Sequence, residues 1–270
     1  MPDGKTIGVI SIKGGVGKTT TVTNLGASLA NDFQKKVLLV DANFSAPNLG
    51  MHLGMLKSEN TLHDVLSNNV DVPKAIYSHE YGFDVLPASV LHKEVNPFQL
   101  KRKVNYLKNK YDIILLDSSP TLNNELLAVM LASDELLVVT NPDYPTLLCT
   151  LHAIKVAKGK NAPIAGLVLN KVHDKDFELN IHEIEEAAKT PVLAVLPDDL
   201  NVHESIAKTK PVVLHAPNSE VAIEYKKLAG ALIGEEYKDK RIFHKIKGLF
   251  SREKKKEDVN RLLHCGKMQK

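Results

Sequence analysis

The chain has no tryptophan, two cysteines and only 5% aromatic residues among its 270 positions. Cys149 and Cys265 stand far apart, which excludes a disulfide framework, a Cys-x-x-Cys metal site and a paired-cysteine cluster ligand set. No apolar run approaches the ~18 residues of a membrane-spanning helix. Leu126 to Val139 comes nearest and is broken by Ser133, Asp134 and Glu135. The opening Met-Pro-Asp-Gly-Lys lacks the apolar core of a secretory signal, and Pro2 is incompatible with myristoylation. A cytoplasmic location is expected. Charge of one sign is also scarce overall, at net +3, but it is unevenly spread. Residues 1–237 carry −5, residues 238–256 carry +7 and residues 257–270 carry +1. A mildly acidic body disfavours nonspecific nucleic-acid binding.

What is present is an alternation of short β-branched apolar runs with longer amphipathic ones. The strand candidates are Thr6–Ser11, Lys36–Asp41, Phe83–Leu86, Tyr111–Asp117, Glu135–Thr140, Ile164–Asn170 and Val192–Leu196. Their near-continuous Ile/Val/Leu content is that of strands buried on both faces. Helix candidates lie between and after them: Thr19–Asn31, Pro97–Asn109, Asn123–Ala132, Thr146–Lys158, Leu179–Ala188, Val202–Thr209 and Ser219–Ile233. The pattern predicts an α/β fold, doubly wound, with a mostly parallel sheet and helices on both faces. No repeat or Gly/Ser linker divides it, so one domain is expected over 1–236, followed by a basic tail over 237–270.

Ser11-Ile12-Lys13-Gly14-Gly15-Val16-Gly17-Lys18-Thr19-Thr20 follows a buried strand and opens a helix, the context a phosphate loop requires. Its glycines let successive backbone N–H groups converge on one anion, and the helix adds its positive end. Lys18 can reach the β- and γ-phosphates, while the Thr19 hydroxyl can ligate Mg²⁺. Asp41 and Asp117 each follow a hydrophobic strand and emerge at the carboxyl edge of the sheet, where ligands sit in such folds. Asn170 closes the Ile164 strand, and Pro197-Asp198 follows the last one. An amide at 170 can pair with an adenine edge, and the acid at 174 is one residue too late for the N-K-x-D element of guanine readers. ATP with Mg²⁺ is therefore the expected ligand.

The K-G-G-x-G-K-T string with its early lysine resembles the deviant Walker A motif of the ParA/MinD group of P-loop ATPases, and the resemblance extends from residue 5 to about 235. It implies an ATP-sandwiched homodimer in which Lys13 reaches the partner's phosphates. It also implies Walker B and Mg²⁺ roles for Asp117, a catalytic and Mg²⁺ role for Asp41 at the opening of switch I, and an adenine loop at Pro197-Asp198. One departure stands out. Many members carry D-x-D where this chain has Asp41-Ala42-Asn43, and an amide orients water but accepts no proton at neutral pH. Slow or partner-dependent hydrolysis is expected.

Between 240 and 256 the sequence is strongly basic, and Ile242, Phe243, Ile246, Leu249 and Phe250 fall within one helical arc of about 120°. Cations flanking such a stripe suit an interfacial helix on anionic lipid. The stretch resembles the membrane-targeting helix of the MinD branch, although some residues follow it here. The expectation is a switch ATPase that dimerises with ATP, attaches reversibly to the inner face of the cell membrane and takes part in spatial positioning with an activating or cargo protein. The alternatives are a DNA-partition ATPase and a regulatory ATP-binding module with little hydrolysis.

Overall fold

Runs of Ile, Val and Leu form a sheet whose two faces are both covered. The computed structural model describes residues 4–91, 94–239, 241 and 255–268. The strands are β1 (Lys5–Ile10), β2 (Val37–Ala42), β3 (Tyr77–Ser78), β4 (Asp84–Leu86), β5 (Ile113–Ser118), β6 (Glu135–Thr140), β7 (Ile164–Val172) and β8 (Val192–Pro197). They lie in the order β3-β4-β2-β5-β1-β6-β7-β8. Every pairing is parallel except β3 with β4, which is antiparallel. All six residues of β2 and of β5 are buried. Alternate residues feed opposite cores: Leu38, Val40 and Leu116 face one, Leu39 and Leu115 the other.

The helices are α1 (Lys18–Asn31), α2 (Leu49–His52), α3 (Leu62–Leu66), α4 (Leu100–Leu107), α5 (Asn124–Ala132), α6 (Tyr144–Gly159), α7 (Ile181–Ala188), α8 (Leu200–Ala207), α9 (Val212–His215), α10 (Glu220–Leu232) and α11 (Lys256–Met268). Side chains cap several of them: Asn123, Asp143 and Ser219 each accept a hydrogen bond from a first-turn backbone N–H. β1 sits between β5 and β6, so successive connections leave to opposite sides there. That reversal opens a crevice at the carboxyl edge, directly above the loop joining β1 to α1.

Three differences from the sequence-based expectation have local causes. The predicted helix Pro97–Asn109 begins as a 3₁₀ turn, Pro97–Gln99, capped by the Asn96 side chain on Phe98 N. The two-residue strand β3 and the four-residue helices α2 and α9 are too short to show a period. Residues 256–268, expected as tail, form α11 and pack beside β8 and α10.

The docking of α11 is polar and specific. Asn260 donates to the Val192 carbonyl at 2.8 Å, and Arg261 donates to the Leu193 carbonyl at 2.8 Å. Arg261 also pairs with Glu224 of α10 at 3.0 Å and with Asp258. Glu185 of α7 accepts from Val192 N at 2.7 Å and bridges Lys256. Farther along, Lys5 Nζ lies 3.7 Å from Met268 Sδ, so α11 ends beside the start of β1. The apolar stripe Ile242, Phe243, Ile246, Leu249 and Phe250 lies outside the described residues. Arg241, just before it, is held by Asp239 and by the Asn218 carbonyl at 3.1 Å.

Candidate nucleotide site

The β1–α1 loop lines a cavity of about 280 Å³ with Gly14, Gly15, Gly17, Lys18, Thr19 and Thr20. Gly17 has a φ of 102°, and a Cβ there would fall 2.2 Å from Asn170 Nδ2. Glycine is therefore demanded twice, by backbone and by space. Val16, by contrast, is fully buried, so its side chain anchors the loop while its backbone serves the site. The Lys18 ammonium bends back to the Lys13 carbonyl at 3.3 Å. Burial lowers its pKa, with the nearby Asp117 charge opposing.

The strand ends supply oxygen. Thr19 Oγ1 lies 2.6 Å from Asp117 Oδ2 and 2.9 Å from Asn48 Oδ1, with a single hydroxyl proton to give. Asp117 Oδ1 and Asn43 Oδ1 are buried without a hydrogen-bond partner. Burial raises the pKa of Asp117, against the Thr19 hydrogen bond and the Lys18 charge. Crowded hard oxygens with one proton among them, plus an orphaned carboxylate oxygen, fit a small divalent cation such as Mg²⁺. Thr19 and Asp117 would hold it.

Asp41, the other carboxylate expected at the Mg²⁺ site, is tied to the backbone of the switch I loop. It pairs in register with Asp117 across β2 and β5, but its oxygens are occupied by backbone N–H groups: Asn43 at 3.2 Å, Asn48 at 3.1 Å and Leu49 at 3.0 Å. Burial first, and then the Asp117 charge, push its pKa up. Asp41 thus shapes the switch I loop. That loop is held closed from within, because Asn43 Nδ2 donates to the Ala46 carbonyl, leaving its orphaned Oδ1 as an acceptor for water.

At the other end of the cavity, Asn170 Nδ2 donates to the Val16 carbonyl at 2.7 Å. One of the two amide hydrogens is thus used, and Oδ1 remains an acceptor of the kind the adenine amino group needs. Pro197 and Asp198 line the same end, with Val202 and Ile206 one helical turn apart on α8. Asp198 stands between His173 at 3.7 Å and His203 at 3.8 Å.

Lys13 points sideways. Its ammonium lies 2.6 Å from Thr146 Oγ1 and 3.4 Å from Asp143 Oδ1 at the start of α6. Sequence reasoning missed this pair, along with Asn48, His52, Val202, His203 and Ile206, because they come from α2, α6 and α8, which only folding brings to the cavity. Asn48 alone carried a signal, as the polar residue that ends the switch I string.

Comparisons with known proteins agree with this arrangement. A family profile described as an AAA domain matches residues 4–159, and one described as 4Fe-4S iron sulfur cluster binding proteins of the NifH/frxC family matches residues 96–246. The second match reflects shared fold, since Cys149 sits on α6 and Cys265 on α11. Among the described residues no group of three or more His, Cys, Asp or Glu is placed to hold a metal ion. An uncharacterized ATP-binding protein of Methanocaldococcus jannaschii is 33% identical, covering 91% of this chain and 97% of its own length. The cell division ATPase MinD of Pyrococcus furiosus superposes with a TM-score of 0.80 at 35% identity, over 84% of this chain and 97% of that one. The septum site-determining protein MinD of Pyrococcus horikoshii, complexed with Mg-ADP, gives 0.80 at 30% identity over 92% and 99%. With its deviant phosphate loop, its Asp117 strand end and its sheet order, the chain belongs to the ParA/MinD family of P-loop ATPases.

Proposed function

We propose that the protein is an ATP-dependent switch: it binds Mg-ATP in the β1–α1 cavity, dimerises through that nucleotide, hydrolyses it slowly and uses the cycle to attach to anionic membrane in a positioning process. The observation that carries the reading is the oxygen cluster of Thr19, Asn48 and Asp117 beside the glycine loop, with Asp117 Oδ1 left unpaired. Bound Mg²⁺ would supply Lewis-acid stabilisation of the phosphates.

The chain's own groups do the rest. Backbone N–H groups of residues 14–20 cradle the phosphates, and Lys18 neutralises the β- and γ-oxygens. Asn43 Oδ1 accepts a hydrogen bond from the attacking water and orients it, without taking its proton. Lys13, released from Asp143 and Thr146, reaches a second protomer's phosphates and stabilises transition-state charge there. Membrane attachment falls to the stripe Ile242, Phe243, Ile246, Leu249 and Phe250, supported by its amphipathic pattern and the +7 charge of residues 238–256. Two copies in a dimer would strengthen a weak anchor. A cytoplasmic protein that visits the inner face of the membrane is the resulting picture.

The test is liposome sedimentation of the full chain with ATP, ADP and no nucleotide, using anionic and neutral lipid. Sedimentation with anionic lipid that requires ATP supports the reading; nucleotide-independent behaviour overturns it. Asn43 favours a second reading, a regulatory ATP-binding module, which single-turnover kinetics with no phosphate release would establish.

A further inference from the structure

His52 ends α2 and lines the nucleotide cavity, yet no described residue offers its ring a hydrogen bond. Its position follows from the fold. The backbone N–H of His52 donates to the Asn48 carbonyl at 3.0 Å, which sets the two side chains one helical turn apart. Asn48 already touches the Thr19 hydroxyl, and α2 packs against α1, whose first turn holds Lys18, Thr19 and Thr20. His52 thus shares a cavity wall with Lys18, Thr19 and Thr20, while His203 across the cavity lies 3.8 Å from Asp198.

We propose that His52 is a further nucleotide-binding residue, donating from a protonated imidazole to the polyphosphate of the bound nucleotide.

The charged surroundings are few. From α1 comes Lys18, from β2 and β5 come Asp41 and Asp117, and His79 reaches the neighbouring Leu53 carbonyl at 3.0 Å. Asp198 and His203 stand across the cavity. Burial holds the His52 pKa below its ordinary value and favours the neutral ring. A polyphosphate brings several negative charges to the same wall and restores the proton. The balance is simple: one proton is taken up from solvent on binding, and affinity rises as pH falls. A charge-assisted hydrogen bond of this kind is worth roughly a tenfold change in affinity.

This inference rests on the nucleotide-binding reading above, and calorimetry on the full chain separates the two. Mg-ADP is titrated into wild type, His52→Gln and His52→Arg at pH 6 and pH 8, with adenosine as the phosphate-free ligand. The expected result is a loss of about tenfold in His52→Gln at pH 6, smaller at pH 8, with recovery in His52→Arg and adenosine binding unchanged. Running the titrations in two buffers of different ionisation enthalpy should show proton uptake in wild type that His52→Gln lacks. If wild type fails to bind Mg-ADP, the nucleotide reading itself falls. Should wild type bind but His52→Gln match it at both pH values, lose affinity equally at both, or lose adenosine equally, His52 is a wall residue and the inference is overturned.

Discussion

The Lys13 ammonium sits 2.6 Å from the hydroxyl oxygen of Thr146 within the same chain. Asp143, 3.4 Å away, supplies the opposite charge, and it also caps α6 through Thr146 N at 2.9 Å. The lysine that the proposed cycle sends to a partner thus has a resting place in its own protomer. Both partners are partly exposed, so the pair is a weak hold of about 1 kcal/mol or less. Asp143→Ala is expected to lower the protein concentration at which ATP drives dimerisation. Light scattering with a non-hydrolysable analogue measures this, and an unchanged midpoint refutes it. Lys13→Ala is expected to leave nucleotide binding intact and remove the dimer.

Asp117 offers the next test. Asp117→Asn removes a buried carboxylate that burial disfavours, so the nucleotide-free protein is expected to melt at a higher temperature than wild type. The same change deletes the ligand for the cation. Addition of Mg-ADP is then expected to raise the wild-type melting temperature by several degrees and the variant's by much less. Equal shifts in the two proteins would remove Asp117 from the metal site.

Position 43 bears on turnover. Its Oδ1 is buried and unpaired, and its Nδ2 is tied to Ala46. Asn43→Asp supplies a proton acceptor at the same place, and basal phosphate release is expected to rise about tenfold or more. The added charge stands near Asp41 and Asp117, so Mg-ATP affinity is expected to fall unless Mg²⁺ is raised. A faster wild type than Asn43→Asp would show that water is positioned elsewhere.

Acid should loosen α11. The Asp258 and Glu185 carboxyls, though burial alone would raise them, are held below their ordinary range by Arg261, by Lys256 and by backbone N–H donors. Their contribution is therefore full at and above the ordinary carboxylate range and is lost only as pH falls below it, through their lowered values. His264 is lowered by burial, so its neutral form is favoured and docking weakens as pH drops below about 6.5. Glu257, raised by burial, works in the opposite direction. Hydrogen exchange of 256–268 is expected to accelerate from pH 7 to pH 3, most steeply below pH 4, while exchange in β1 and β5 follows only intrinsic chemistry. Arg261→Ala, which removes the bonds to the Leu193 carbonyl, Glu224 and Asp258 but leaves Glu224 paired with Lys227, is expected to cost about 2 kcal/mol and to release α11 at neutral pH.

Strands and phosphate loop were legible in the sequence because both write themselves locally. β6 matches its expected run residue for residue, since Leu136–Val139 is apolar without a break. The loop is a contiguous string with a strand before it and a helix after it. What escaped depends on distance along the chain. Asp41 follows a hydrophobic strand as Asp117 does, and only the folded loop shows that Asn48 and Leu49 consume its oxygens. The α11 pattern was obscured for a similar reason: its buried residues are Glu257, Arg261 and His264, and Arg261 is buried because it bonds the Leu193 carbonyl and Glu224, so no apolar stripe marks the docked face.

A doubly wound sheet ends in two outer strands, and each is an invitation to pair with another molecule. Here one outer strand, β3, is two residues long, and on the other the Val192 and Leu193 carbonyls are taken by Asn260 and Arg261. For the proposed switch, which would gather at high density on a membrane surface, that matters more than stability does. Stripping α11 would leave β8 with free hydrogen-bonding groups, and crowded molecules would then join edge to edge. The terminal helix is in this sense what lets the protein be concentrated without being precipitated.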